Sequence, residues 1–171
     1  KAVLELGGNN ACMVLKDADL DKYMDTMAWA RMQNAGQSCI AAKRFIVVED
    51  IYDEFLSKFK SKVESYIVGN PTDAKTEISS MASTKLAEEV EMQVQKSLDK
   101  GATVCYGNHR DQAFYQPTII ENVTKDMPLF REEVFGPVAA LIKVKDEDEA
   151  YQLASDTKFG LGSMVFTADV D

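Results

Sequence analysis

The sequence predicts an α/β layered domain. Two observations carry that reading. Short apolar runs bounded by turn residues alternate along the chain with longer stretches whose apolar residues recur every three or four positions. No internal repeat, low-complexity segment or second domain interrupts the alternation, so helices are expected to pack against one sheet.

Residues 11–15 form an apolar run of the kind buried on both faces of a sheet. Asp17 and Asp19 offer helix caps, and Leu20, Met24, Met27 and Ala28 share one helical face, predicting a helix to about Gln33 that Gly36 breaks. Residues 45–48 are aromatic and β-branched, hence a strand. Asp50 opens a helix with Ile51, Phe55, Phe59, Val63 and Ile67 at four-residue steps, closing at Gly69-Asn70-Pro71. After a polar loop, Leu86, Val90, Val94 and Leu98 mark another helix, ended by Gly101. Strands are predicted over 103–106 and 118–123, joined through the polar turn 107–111, and again over 138–144. Residues 146–156 form an acidic-headed helix with Ala150, Leu153 and Ala154 inward, and 164–167 a last strand. Lys1-Ala2-Val3-Leu4 also reads as the inside of a strand, without initiator Met or signal peptide, and little follows the last strand. The chain is therefore expected to be a piece of a longer polypeptide.

At 171 residues, one domain burying about 70% of its unfolded surface is expected. A formal net charge of −9 offers no basic patch for nucleic acid or an anionic membrane. No apolar run approaches the roughly 20 residues that cross a bilayer. Cys12, Cys39 and Cys105 form no paired framework, which points to a reducing compartment, the cytoplasm. Three scattered cysteines and one histidine lack metal-ligand spacing, so no metal is expected.

Three segments can carry chemistry. Cys39 follows a Gly-Gln-Ser turn and precedes the helix-prone run 40–44, which would set its sulfur near a helix N-terminus where N–H groups favour a thiolate and receive an oxyanion. The plainer reading is a small buried cysteine in a helix-to-strand connection. Glu5, between two leucines and before Gly7-Gly8, would be partly desolvated and so raised toward general-base range; the alternative is a solvent-facing carboxylate before a turn. Residues 131–138 read either as a charged loop ended by a Gly-Pro turn, or as a carboxylate accepting from sugar hydroxyls with Phe135 beside a flat ring.

Glu-Leu-Gly-Gly at 5–8, Gly-Gln-x-Cys at 36–39 and Glu-x-Phe-Gly-Pro at 133–137 together resemble the aldehyde dehydrogenase superfamily. The first two stand 34 residues apart, Glu5 to Cys39, and the likeness covers essentially the whole chain, aligned with the family's catalytic domain. The resemblance implies a three-layer α/β/α sandwich with a mostly parallel sheet, residues 1–171 being a catalytic domain without the cofactor-binding domain and oligomerisation segment. It implies that Cys39 attacks a small-molecule aldehyde, that the Cys39 N–H and a side-chain amide hold the oxyanion, and that Glu5 activates the hydrolytic water. Glu133 would bind the nicotinamide-side ribose of NAD or NADP, Phe135 would line the nicotinamide site with Leu6 and Gly7 nearby, and Ser38 would line the substrate pocket. The isolated chain is expected to show no dehydrogenase turnover, and its parent to be a homodimer or homotetramer. Within the family, Lys43-Arg44-Phe45 and Arg131-Glu132-Glu133 most resemble bacterial succinate-semialdehyde dehydrogenases. A basic residue near the site would suit an anionic aldehyde, although Lys43 and Arg44 read equally as surface charge.

The sequence departs from the family in two places. The asparagine that supplies the second oxyanion donor lies upstream of this stretch. Ile78-Ser79-Ser80-Met81 stands where members carry Gly-Pro, so no cofactor contact is expected there. No Gly-x-Gly-x-x-Gly occurs either, since Val165 occupies the third glycine position after Gly160-Leu161-Gly162. Two rivals remain. A cysteine hydrolase needs an imidazole beside the sulfur, and the only histidine, His109, sits in a polar turn. A non-catalytic assembly module would exploit an unpaired strand edge.

Overall fold

A computed structural model of the chain describes residues 1–3 and 6–169. Its centre is a six-stranded sheet in the order β3-β6-β7-β2-β1-β8. The strands are β1 (Asn10–Val14), β2 (Ala42–Val48), β3 (Thr103–Tyr106), β6 (Thr118–Glu121), β7 (Val138–Val144) and β8 (Ser163–Phe166). Only β3 runs antiparallel to its neighbour, and β4 (Arg110–Asp111) pairs with β5 (Phe114–Tyr115) in a separate hairpin. The mostly parallel sheet is as expected.

The two faces of β2 show how the helices cover the sheet, because successive residues of a strand point to opposite sides. Phe45 turns toward α2 (Glu49–Glu64), its ring centroid 4.9 Å from that of Phe59 and 6.2 Å from that of Phe55. Next to it in sequence, Arg44 turns the other way. Its guanidinium lies 4.9 Å from the Phe130 ring of α4 (Pro128–Arg131) and donates to the carbonyls of Leu153 and Ala154 in α5 (Glu147–Ser155). Helix α1 (Leu20–Met32) packs beside α2, and α3 (Thr84–Leu98) beside α4, completing the two outer layers. Phe45, Phe55 and Phe59 are fully buried. Phe59→Ala is expected to destabilise the fold by about 3–5 kcal/mol, lost transfer energy plus a cavity, measurable by urea unfolding.

Capping follows the local sequence. Asp19 accepts from the Lys22 N–H at 3.0 Å, Ser83 from Leu86 at 3.3 Å and Asp146 from Glu149 at 2.9 Å, starting α1, α3 and α5. Asp17 is no cap; it accepts from the Thr167 hydroxyl at 2.9 Å and from the N–H groups of Ala168 and Asp169, joining the exits of β1 and β8.

Several expectations are corrected. The run 40–44 is not a helix: β2 begins at Ala42, all seven of its residues are buried, and it bonds to parallel strands on both sides. Tertiary pairing overrides the weak helix preference of two alanines and two basic residues. Helix α2 stops at Glu64, five residues before Gly69, because the Ser65 hydroxyl and N–H bond back to Lys62 and leave Ile67 half exposed. Lys1-Ala2-Val3 is exposed and in no strand, while Leu4 lies outside the described residues. Helix α4 and the β4–β5 hairpin are too short for periodicity to reveal.

Candidate active site

Three neighbouring parallel strands, β7, β2 and β1, are entered by the three segments singled out in the sequence. Parallel neighbours must have their entering segments at the same edge of the sheet. Residues 7–9, 37–41 and 133–137, remote along the chain, therefore meet at the N-terminal edge of the sheet. There Gly7, Gln37, Ser38, Cys39, Glu133 and Phe135 line one cleft of about 480 Å³.

Local geometry holds the thiol segment in place. Helix α1 passes into a 3-10 turn over Gln33–Gly36, in which Asn34 and Ala35 adopt φ of 52° and 51° and Gly36 adopts 70°. Asn34 and Gln37 exchange side-chain-to-carbonyl hydrogen bonds of 3.0 Å, and the Ala82 N–H donates to Gln37 Oε1 at 2.8 Å. The fully buried Arg31 donates from its Nη2 to the Gly36 carbonyl. Burial pushes the Arg31 guanidinium down to about 9, against the pull of the Glu133 carboxylate. Cys39 itself is partly exposed in a turn ahead of β2. No helix N-terminus stands beneath it, contrary to expectation; the nearby positive charge is the Lys43 ammonium.

The paired glycines have separate tasks. A Cβ on Gly7, whose φ is 76°, would lie 2.3 Å from Glu133 Oε2, and one on Gly8 would lie 2.6 Å from the Cys39 carbonyl oxygen. The first glycine thus makes room for the carboxylate and the second for the thiol loop. The Gly8 N–H donates to Glu133 Oε1 at 3.1 Å, and Asn10 Nδ2 donates to the Cys39 carbonyl at 3.2 Å.

Lys43 and Arg44 are neither surface charge nor open to substrate: each is only 1% exposed. Lys43 Nζ donates to the carbonyls of Ser38 at 2.9 Å, Cys39 at 3.0 Å and Ala41 at 3.3 Å, and lies 3.3 Å from Glu133 Oε1. Burial and the nearby Arg31 charge push it down to about 8, outweighing Glu133 and Cys39, which pull upward. Arg44 spends its donors on the carbonyls of Asn9, Leu153 and Ala154.

Five of the seven residues expected at the site line the cleft. Leu6 is exposed beside it in sequence, and Glu5 lies outside the described residues. His109 is exposed and not among the cleft residues, so the hydrolase reading lacks its imidazole. Lys43, Arg31, Asn10 and Gln37 were missed as supports. A lysine and an arginine entering an otherwise apolar strand were the available signal, since buried charge needs partners.

Glu133 presents one carboxylate oxygen held in place and, among the described residues, one without a donor. Its Oε1 is held by Gly8 and Lys43, while Oε2 faces Gly7, with Phe135 lining the same cleft.

A doubly covered, mainly parallel sheet with a partly exposed cysteine and a braced carboxylate lining one cleft defines an α/β protein with its candidate site at the N-terminal edge of the strands. The chain belongs to the aldehyde dehydrogenase family, whose family model matches residues 1–171. It is 45% identical over its whole length to a succinate-semialdehyde dehydrogenase [NADP(+)] of Deinococcus radiodurans, and 48% identical over 98% of its length to one of Mycobacterium avium. It spans 36% of each of those relatives, about a third of their length. A glyceraldehyde-3-phosphate dehydrogenase of Methanocaldococcus jannaschii, solved with NADP, superposes at a TM-score of 0.94 with 41% identity, covering 98% of this chain and 36% of that one. No helix among the described residues is long and apolar enough to cross a membrane.

Proposed function

We propose that this chain is the catalytic portion of an NAD(P)-dependent aldehyde dehydrogenase that oxidises an anionic aldehyde, with succinate semialdehyde the first candidate. The observation that carries the chemistry is the gathering of Gly7, Ser38, Cys39, Glu133 and Phe135 in one cleft. The substrate is suggested by the relatives alone, because the polar atoms of Lys43 and Arg44 are already engaged.

In this reading the Cys39 thiol gives up its proton to solvent and its sulfur attacks the aldehyde carbon; a C–S bond forms and the carbonyl pair moves to oxygen, where the Cys39 N–H donates to it. Collapse of that oxyanion restores the carbonyl, expels hydride and leaves a thioester. The nicotinamide group, when bound, supplies the acceptor for that hydride. Glu133 Oε2 would take the ribose hydroxyls, and Phe135 would flank the ring, with Leu6 and Gly7 beside it. Glu5 then takes a proton from water as the oxygen attacks the thioester; the C–S bond breaks, freeing the acid and the sulfur. Ser38 would line the acyl side. The parent enzyme would be a cytoplasmic homodimer or homotetramer.

A substrate panel on the full-length enzyme tests the reading. Succinate semialdehyde should give the highest kcat/KM, with NADP at least as good as NAD; a clear preference for neutral aliphatic aldehydes removes the substrate assignment. The 171 residues purified alone, with aldehyde and NAD, should produce no steady NADH signal; a sustained signal contradicts their dependence on the remainder of the enzyme.

A further inference from the structure

We infer that Lys43 is a positioning residue that ties the ribose-binding carboxylate to the thiol loop, so that occupancy at Glu133 is felt at Cys39. This inference rests on the proposed function and deepens it.

A lysine ammonium has three N–H donors on a flexible stem. At Lys43 they meet four acceptors: the carbonyls of Ser38, Cys39 and Ala41, and Glu133 Oε1, all within 3.3 Å. Three of these belong to the turn that carries the thiol, and the fourth belongs to the loop entering β7. Among the hydrogen bonds and ion pairs of the described residues, the Cys39 carbonyl is reached by Asn10 and Lys43 and the Glu133 carboxylate by Gly8 and Lys43, so Lys43 joins the two with one group. Lys43 is the second residue of β2, with Ala42 before it and Arg44 after it paired across to β1. With the Gly8 N–H its ammonium holds Oε1, and so helps to set where Oε2 points.

Burial of the whole side chain makes the link depend on charge. The groups facing the ammonium are Arg31 from α1, Glu133 from the loop ahead of β7, and Cys39 from the turn. A neutral amine keeps only two N–H donors and no longer balances Glu133. Because Lys43 is pushed down to about 8, against 10.5 in the unfolded chain, raising the pH through about 8 removes its proton in the folded enzyme. The site then loses a positive charge that favours an anionic dinucleotide.

Binding of NADPH to the full-length enzyme, followed by its fluorescence without any turnover, provides the test. Losing a hydrogen bond to a charged group predicts that Lys43→Met weakens NADPH binding by about tenfold or more. Wild-type binding should weaken between about pH 7 and pH 9.5 as Lys43 titrates, and the variant should bind weakly with little dependence over that range. NADPH should change the rate at which iodoacetamide alkylates Cys39 in the wild type, and leave it unchanged in Lys43→Met. Circular dichroism establishes whether the variant is folded; if it is not, Lys43→Gln, which keeps a donor but no charge, is measured instead and should show the same loss of pH dependence. A folded variant that binds within twofold of wild type, or one whose Cys39 still responds to NADPH, overturns the inference. A wild-type enzyme that neither binds the dinucleotide nor loses aldehyde turnover in Cys39→Ala overturns the functional reading itself, a separate result.

Discussion

Replacing Cys39 with alanine in the full-length enzyme should lower kcat for aldehyde oxidation by at least about a thousandfold, because the proposed mechanism runs through a covalent intermediate on that sulfur. Binding of the dinucleotide should survive, since the residues proposed to hold it, Glu133 and Phe135, are untouched. The two other cysteines cannot take over. Cys12 is fully buried in β1, and burial pushes its thiol far above the ordinary range; Cys105 in β3 is pushed up as well, mainly by burial. Cys105→Ser should therefore leave the rate unchanged and serves as the control. Steady-state rates together with equilibrium binding separate loss of the nucleophile from loss of the fold.

Gly36→Ala should be nearly as damaging, for a different reason. Gly36 adopts φ of 70°, and a Cβ there would lie 2.1 Å from the Gly136 carbonyl oxygen and 2.5 Å from Arg31 Nη2. The first obstacle is backbone and the second a fully buried guanidinium, so neither can step aside. A positive-φ penalty of about 1–3 kcal/mol adds to an overpacking cost of similar size, giving a loss of roughly 2–6 kcal/mol in urea unfolding. The same methyl group would part the turn before Cys39 from the loop after Glu133. Whatever protein remains folded should thus have lost most of its activity. Normal stability with full activity would show that the close approach of Gly36 to Gly136 is dispensable.

Much of this arrangement can be read along the chain. The face of Leu20, Met24, Met27 and Ala28 is buried as its spacing predicts, and β7 runs over the seven residues whose apolar run announces it. Long periodic segments are readable because burial enforces their pattern. The turn after Cys39 is different. The run 40–44 looks helical locally, and only the place of Ala42, Lys43 and Arg44 between two parallel strands makes those residues β. The supports of the thiol were hidden for the same reason. Arg31 sits on what looks like one more turn of an amphipathic helix, and Lys43 looks like surface charge. That both are buried depends on contacts with residues as distant as Glu133. Gly7 and Gly8 were legible as places where backbone must come close, but not which partner each admits.

The most direct test of the two-residue mechanism is mass analysis of full-length Glu5→Gln after brief incubation with succinate semialdehyde and NADP. With the base removed, hydrolysis of the thioester should become the slow step, and an acyl group should accumulate on the peptide that contains Cys39. Undiminished turnover with no adduct, or an adduct on any other residue, would contradict the pairing of Cys39 with Glu5.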